Sequence, residues 1–308
     1  MKRLRWLLLA LILSLLPIAI IVGTQWGLQL VVTTVNTISG GAVTVGSANG
    51  RLATAYNLSS ISITTKGADV DIDKFYWSWK PVSLFSAELD IVKCATESLT
   101  IKLKASDPEK NGVDEPFDFP KIVAPVTLLL REFSLKNVKV LDSDAHLAFQ
   151  IDNFTTSLEL YSDRLVVNDF TFDAPDLGID FHGNISLEKD HSLDVMGSWR
   201  LAGYGFHPSK GTFSAGGPIE SIDVNVALND PSDIRVVGVI KDLFDNPTWI
   251  ADLDARNVNI EDWILHCPPI ILKKVHGDMS GDFGHYRGLV IADGYWGVAD
   301  KLHLRSDI

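Results

Sequence analysis

Residues 59–73 decide the fold class, and they read Ser-Ser-Ile-Ser-Ile-Thr-Thr-Lys-Gly-Ala-Asp-Val-Asp-Ile-Asp. Ile61 and Ile63 alternate with Ser and Thr before the Lys-Gly turn signal, and Val70 and Ile72 alternate with aspartates after it. Successive side chains of a β-strand point to opposite faces of the sheet. The stretch therefore predicts two strands, each with one apolar and one polar face, joined by a turn.

The same alternation recurs through most of the chain. It is present at Leu99-Ile101-Leu103, at Leu147-Phe149-Ile151 and at Ile222-Val224-Val226-Leu228, and Gly, Pro and Asn turn signals separate such segments. Because no long helical pattern intervenes, a βαβ enzyme core is disfavoured. Loosely repeated Gly-containing phrases favour a sheet that grows by adding strands. The sequence thus predicts a mostly β chain built as an elongated, curled antiparallel sheet.

Composition excludes several classes of partner and fold. The chain has 308 residues, and its 27 basic and 39 acidic residues give a net charge of −12. The first 23 residues hold three basic residues and no acid, so the remainder carries a net charge of −15. Such a balance argues against nucleic acid as a partner and against electrostatic binding to anionic headgroups. Two cysteines exclude a disulfide-rich scaffold and a four-cysteine zinc site.

The N-terminus predicts a membrane anchor. Residues 6–23 contain no charge and follow the basic residues Lys2, Arg3 and Arg5. A helix of this length is ~27 Å long, enough to span a bilayer core. The basic start places residues 1–5 in the cytoplasm and everything after the span on the far side. A cleaved signal peptide is the alternative, although the apolar core is long for one, and a buried core helix is a second. The predicted anchor residues are Trp6, Leu7, Leu8, Leu9, Leu11, Ile12, Leu13, Leu15, Leu16, Ile18, Ile20, Ile21 and Val22.

The rest of the chain divides by composition. Residues 24–41 predict a membrane-proximal helix from the helical spacing of Leu28, Val31, Val35 and Ile38, with a strand as the alternative. Residues 42–106 are expected to form a first β section, and residues 107–120 an acidic loop. Residues 121–308 are expected to continue the sheet and to end within a strand pattern. Within them, residues 122–130 are expected to be a short helix or an irregular element.

Several phrases, in order, resemble the TamB family of AsmA-like inner-membrane proteins. They are Gly23-Thr24 with Gly27-Leu28, Val45-Gly46-Ser47, Gly50-Arg51-Leu52, Leu58-Ser59-Ser60-Ile61, Trp77-Ser78-Trp79-Lys80-Pro81 with Leu84, residues 119–122 and 133–140, and residues 246–253 with 257–259. The similarity covers most of the chain, and it consists of short, loosely matching segments without an invariant motif. The family's conserved C-terminal domain has no counterpart here, so we expect an N-terminal portion, with a short AsmA-like relative as the alternative.

The resemblance implies a fold and a function. It implies a β-taco, a long groove from the bacterial inner membrane across the periplasm whose apolar inside holds phospholipid acyl chains. It also implies phospholipid transport between membranes, or outer-membrane protein (autotransporter) assembly and secretion with a TamA-like Omp85 barrel. The part of the family that meets that barrel is the missing C-terminal domain. No catalysis and no cofactor are implied.

The apolar strand faces are the candidate site, and two interpretations of them stay open. They could line an open groove for acyl chains, or pack as the core of an anchored β-sandwich or solenoid that docks another envelope protein. Burial of apolar area stabilises both arrangements. The candidate lining residues are Ile61, Ile63, Val70, Ile72, Leu99, Ile101, Leu103, Leu147, Phe149 and Ile151.

Signals for catalysis or metal binding are weak. The common nucleophile, phosphate-loop and zinc-protease motifs are missing, and no acid stands in the phrase of a glycan hydrolase. His266, Cys267, His276, His285 and His303 fit no common zinc spacing. The aspartates at 69, 71 and 73 have calcium-like spacing, but we interpret them as the solvated face of a strand. A disulfide between Cys94 and Cys267 is chemically permitted beyond the membrane, and the sequence leaves it open.

Overall fold

A computed structural model describes residues 20–104, 126–188, 191–203, 206–243, 246–263, 269–282, 284–296 and 300–307. The chain divides into two compact units. The first holds residues up to 109 together with 126–159, and the second holds 110–125 with 160–308.

Among its described residues, the first unit contains the helix Gln25–Ile38, seven strands and a 3₁₀ helix, besides the helical stretch at residues 20–23. The elements are α1 Gln25–Ile38, β1 Val43–Arg51, β2 Ala55–Thr64, β3 Ala68–Lys80, the 3₁₀ helix Pro81–Ser86, β4 Glu88–Thr96, β5 Leu99–Leu103, β6 Thr127–Leu141 and β7 Leu147–Leu160, the last residue of which falls in the second unit.

In the part of the second unit that the structure describes, there are ten strands and a short 3₁₀ helix. The elements are β8 Arg164–Asp173, β9 Leu177–Ser186, β10 Leu193–Gly203, β11 Phe206–Gly217, β12 Ser221–Asp230, β13 Asp233–Lys241, β14 Thr248–Asn259, the 3₁₀ helix Ile260–Asp262, β15 Ile270–Asp282, β16 Tyr286–Trp296 and β17 Asp300–Asp307. The predicted mostly β fold is confirmed.

The first unit is not wholly antiparallel. β1, β2 and β3 pair as a meander, and β3 pairs antiparallel with β4 along its second half and with β5 along its first half. β6 then lies parallel to both β4 and β5. Parallel pairing requires that Lys104 and Val126, on either side of the residues that are not described, lie at opposite ends of the sheet.

The expectation of a helix or irregular element at residues 122–130 is wrong from Thr127 onward, where β6 begins. Residues 121–125 lie outside the described part of the chain. Pairing with β4, in which Glu88 is opposite Thr127 and Ile91 opposite Leu130, supplies the backbone partners that make this apolar segment a strand.

Three strands of the first unit are tied together by one buried carboxylate. Asp90 of β4 accepts hydrogen bonds from Arg131 of β6 at 2.6 and 2.9 Å, and Lys80 of β3 lies 3.2 Å away. The side chain of Asp90 is only 5% exposed. Its hydrogen bonds from Arg131 hold the pKa of Asp90 below its usual range.

α1 forms where residues 24–41 predict a helix. Thr24 caps it, since its hydroxyl accepts a hydrogen bond from Gly27 N at 3.2 Å. Seven of its fourteen residues are β-branched, which weakens intrinsic helix propensity. Packing compensates, because Leu28 is 1% exposed and Asn36 bonds to the backbone of β1.

The predicted anchor lies mostly outside the described residues. Trp6 to Ile18 are not described, whereas Ile20, Ile21 and Val22 belong to a helical stretch at residues 20–23. Among the described residues, no helix combines the length and the apolar character needed to cross a membrane.

The second unit is an antiparallel meander in which each strand from β8 to β17 pairs with the next. Short turns suffice for such neighbours. The registers of these pairs set which side chains share a face.

Candidate functional site: an apolar face of the sheet

Cross-strand pairing gathers seven of the ten candidate residues on one face of the first unit. One row of directly opposite residues runs Val45, Ile61, Ile72, Leu99 and Val138, from β1 to β6. Directly opposite residues of paired strands present their side chains on the same face. The row is therefore a continuous apolar band across the sheet.

A second row lies two residues along each strand and shares this face. It runs Val43, Ile63, Val70, Ile101 and Val140, again from β1 to β6. Leu103, the seventh candidate, follows two residues after Ile101 and pairs with Ala68.

The other three candidates lie on β7. Leu147 is 55% exposed and Phe149 is 48% exposed, and Ile151 is half-buried. Further along β7, Phe154 meets Phe133 of β6 edge to face, with ring centroids 5.7 Å apart. β7 thus contributes apolar surface beside β6.

Along the strands of the first unit, the alternation of exposed and less exposed residues shifts by one position. The shift occurs at one line across the strands, which we call the phase-shift row. Two successive residues are exposed there in three strands: residues 46–47 of β1, 73–74 of β3 and 136–137 of β6. In β2 and β6 the row holds residues with positive φ, Ser60 at 53° and Asn137 at 50°. Such a local irregularity reorients the strand without ending the sheet.

Beyond the phase-shift row, the apolar face continues with residues that are not among the predicted lining residues. They are Tyr56, Leu58, Phe75, Trp77 and Phe133. Tyr56 is opposite Trp77, Leu58 is opposite Phe75, and the rings of Tyr56 and Phe75 lie 6.3 Å apart. The signal was present, because Tyr56 and Leu58 also alternate, but on even numbers where Ile61 and Ile63 use odd ones.

The opposite face of the first unit is charged. Lys104 lies 2.6 Å from Asp69, and Lys102 lies 3.7 Å from Asp71. The hydrogen bond from Lys104 holds the pKa of Asp69 below its usual range. These aspartates therefore have lysine partners on a solvated face, as their alternation predicts.

The second unit carries a corresponding face across all ten of its strands. Its central row of opposite residues runs Phe170, Phe181, Gly197, Phe213, Val226, Val236, Leu253, Gly277, Val290 and Ser306. Phe170 and Phe181 stack with centroids 4.2 Å apart.

Large side chains on this face lie over glycines of the neighbouring strand. A Cβ on Gly211 would come 2.8 Å from the indole ring of Trp199, its partner across β10 and β11. A Cβ on Gly197 would come 2.7 Å from the Cβ of Phe181. Glycine at these positions lets an aromatic ring lie along the sheet. The face is therefore smooth and apolar where the rings cover backbone.

Few of these apolar side chains are buried. In the described part of the chain, eleven hydrophobic residues are shielded from solvent, and four of them are alanines. Phe181, Phe213, Val226, Val236 and Leu253 are all only half-buried. A closed sandwich core would bury them, so the face retains accessible apolar surface.

The described residues offer no clear metal centre. No group of three or more His, Cys, Asp or Glu side chains among them is arranged to hold an ion. His276 instead lies 3.1 Å from Asp254 and 3.5 Å from Asp278. Its hydrogen bond with Asp254 raises the pKa of His276. Cys94 is half-buried in β4. His266 and Cys267 lie outside the described residues, so the structure leaves open the disulfide between Cys94 and Cys267, as the sequence does.

Comparison with known families gives one match. Residues 13–179 match the domain described as TamB, N-terminal domain. No curated protein and no solved structure matches the chain. The matched stretch covers more than half of the 308 residues and includes every strand of the first unit. The family is one of non-enzymatic envelope-assembly components. The resemblance is confirmed, and the chain belongs to the TamB family.

Proposed function

We propose that this chain is a non-catalytic section of a lipid conduit of the bacterial envelope. Residues 6–23 anchor it in the inner membrane, and the β units lie in the periplasm. The apolar face holds phospholipid acyl chains, while headgroups stay with solvent at the rim. Exchange of lipid between membranes, and assembly of outer-membrane proteins with a TamA-like barrel, are the processes that such a section serves.

One observation carries this proposal. The apolar rows cross five strands of the first unit and, with glycine at two positions and Ser306 at the end, ten strands of the second. Ile61 and Val138 are buried, yet most of the other side chains in these rows are only half-buried. Apolar area that stays in water has a cost of roughly 25 cal/mol per Å². A row of acyl chains removes that cost over the whole face, and needs no directional contacts to do so.

The opposite face supports the same assignment. Charged pairs such as Lys104 with Asp69 and Lys93 with Glu132 lie on the other side of the first unit's sheet. A sheet with one charged face and one accessible apolar face is suited to a ligand that is itself apolar along its length.

Adjacent valines of β13 provide a matched test. Val236 lies in the central apolar row, whereas Val237 points to the other face and is 41% exposed. We would purify the full chain from envelope membranes with Val236→Asp or with Val237→Asp, and count the phospholipids retained after detergent exchange by mass spectrometry. Val236→Asp should lose most of the bound lipid, and Val237→Asp should keep the wild-type amount.

Far-UV circular dichroism and thermal unfolding of both variants check that the sheet is intact. Wild-type chain without lipid, or equal lipid in the two folded variants, would overturn the proposal. In the first unit, Phe149→Asp gives a second test of the same kind, because Phe149 is a candidate lining residue and is half exposed.

A docking scaffold is the second candidate function, and one observation favours it. The 3₁₀ helix Pro81–Ser86 presents Phe85 at 94% exposure, Val82 at 73% and Leu84 at 49%. Exposed apolar tips of this kind mark contacts with other macromolecules. The test is purification of the wild-type chain and of Phe85→Ser, followed by identification of bound lipid and of co-purifying envelope proteins. A wild-type chain without lipid whose co-purifying protein is lost in Phe85→Ser would favour the scaffold over the conduit.

A further inference from the structure

The outer side of α1 is an exposed, uncharged stripe. Trp26 is 82% exposed, Leu30 57% and Ile38 80%, and Thr33 and Thr37 lie between them at helical spacing. The whole helix contains no charged residue. A helix side that faces bulk water ordinarily carries charged residues, so this composition indicates a less polar environment.

The inner side of α1 is already occupied. Leu28 is fully buried, and Asn36 hydrogen-bonds to both backbone groups of Val45 on β1. Helical spacing of 100° per residue puts Leu28 almost opposite Leu30 and Trp26. α1 therefore lies along β1 with the exposed stripe turned away from the sheet.

The chain enters α1 directly from the apolar run. That run ends at Gly23, one residue before the helix cap Thr24. The carbonyl of Val22 accepts a hydrogen bond from Ala53 N at 2.8 Å, which holds the end of the run against the turn between β1 and β2. Gly27 permits a close approach to the run, because a Cβ there would lie 1.9 Å from the carbonyl oxygen of Ile21. Any membrane that contains residues 6–23 is therefore within a few residues of Trp26.

We propose that α1 lies flat in the outer-leaflet interface of the bilayer, with the stripe Trp26, Leu30, Thr33, Thr37 and Ile38 against lipid. The inference rests on the anchoring role proposed for residues 6–23. α1 then lies between the edge strand β1 and the membrane, so that the apolar face of the first unit begins at the lipid surface. Lipid can pass to that face without crossing a layer of water.

The chemistry of the stripe suits the bilayer interface. Tryptophan concentrates at the level of the headgroups, and threonine hydroxyls bond within the helix, as Thr34 to Leu30 O at 2.8 Å and Thr37 to Thr33 O at 2.8 Å do here. The absence of basic residues means that binding depends on apolar area and not on anionic lipid. We therefore expect the contact in neutral bilayers.

The test uses the full chain with Cys94→Ser and Cys267→Ser, reconstituted in phosphatidylcholine vesicles. Single cysteines are introduced by Trp26→Cys, Leu30→Cys or Ile38→Cys and labelled with an environment-sensitive fluorophore. Lys66→Cys, in the exposed turn between β2 and β3, is the control. Vesicles with nitroxide-labelled lipid should quench the three α1 probes about twofold or more over the control, since an interfacial helix sits ~5–10 Å into the headgroup boundary.

Carbonate extraction of the same vesicles tests the anchor separately. Quenching at α1 supports the inference whether or not carbonate releases the chain. If carbonate releases the chain but the probes are quenched, the anchoring role of residues 6–23 is rejected and the contact of α1 with lipid is supported. Retention with water-like, unquenched probes overturns the inference and leaves the anchor intact. Release with unquenched probes overturns both. Circular dichroism of each labelled variant verifies that the chain is folded.

Discussion

The side chain of Asn36 completes the hydrogen bonding of Val45 at the edge of the first sheet. Its Oδ1 accepts from Val45 N at 2.9 Å, and its Nδ2 donates to Val45 O at 3.2 Å. A neighbouring strand would make the same pair of bonds with its peptide groups. The helix thus blocks part of an edge that could otherwise pair with another chain.

Replacing Asn36 should open this edge. Asn36→Ala removes both bonds and leaves the N–H of Val45 unpaired, at a cost of about 1–3 kcal/mol in the free energy of unfolding. Hydrogen exchange at Val45 should accelerate, measured by mass spectrometry of peptides from β1. Thr33→Ala, on the exposed side of α1, is the control and should leave the exchange unchanged. Equal exchange in both variants would show that the amide pair does not protect β1.

The close contact of Gly27 with Ile21 predicts a strict size limit. Gly27→Ala places a methyl group against the Ile21 carbonyl, where overpacking costs about 1–3 kcal/mol. The displaced run should also weaken the bond between Ala53 N and Val22 O, and so speed hydrogen exchange at Ala53. Gly23→Ala is the matched control, because a Cβ there has no heavy atom within 4 Å. A tolerated Gly27→Ala with unchanged exchange at Ala53 contradicts the close approach.

Asp90 should make the free energy of unfolding depend on pH in the acidic range. Its pKa is lowered in the folded chain, mainly by the hydrogen bonds from Arg131. The stabilisation is therefore present above the unfolded pKa of about 3.9 and is lost as pH falls through the folded value. Asp90→Asn should cost about 1–2 kcal/mol at pH 7, since Arg131 and Lys80 are half exposed and solvent screens the pair.

The measurement is urea unfolding of the wild type and Asp90→Asn from pH 7 down into this acidic range. The difference between the two should shrink as Asp90 of the wild type becomes protonated. Ser143→Ala, at an exposed turn, removes no titrating group and should show no such pH-dependent difference. A difference that stays constant with pH would mean that the charge of Asp90 is not what stabilises the three strands.

His276 should titrate above the ordinary histidine range. The hydrogen bond with Asp254, and then the charges of Asp278 and Asp252, raise its pKa. The protonated form is favoured in the folded state, so its small stabilisation is present below the unfolded pKa of about 6.5 and is lost as pH rises through the folded value. NMR titration of the ring should show the raised pKa, and Asp254→Asn should lower it. Asp194→Asn, on β10 and separated from β15 by four strands within the same unit, should leave the titration unchanged.

Local alternation identified the fold class because it depends only on the geometry of a single strand. Ile61 and Ile63, or Val70 and Ile72, share a face whatever their neighbours are. The same reasoning missed Tyr56 and Leu58, because the change of parity at Ser60 depends on a positive φ that serine adopts only in a supporting sheet.

Pairing partners were equally beyond local reasoning. The apolar stretch from Thr127 to Leu130 lacks clear alternation and follows Pro125, so we expected a helix or an irregular element there. β6 is a strand because β4 and β5 supply hydrogen-bond partners from positions about 40 residues earlier in the chain. Such partners cannot be read from the segment itself.

The β-rich class follows from the spacing of apolar residues along each strand, and the family follows from the order of short phrases along the chain. That Val45, Ile61, Ile72, Leu99 and Val138 form one row depends on the pairing of the folded strands, because a row is set by the register between strands. The tertiary structure also decided that the face stays accessible, because exposure depends on what packs against a side chain and not on the side chain's own chemistry.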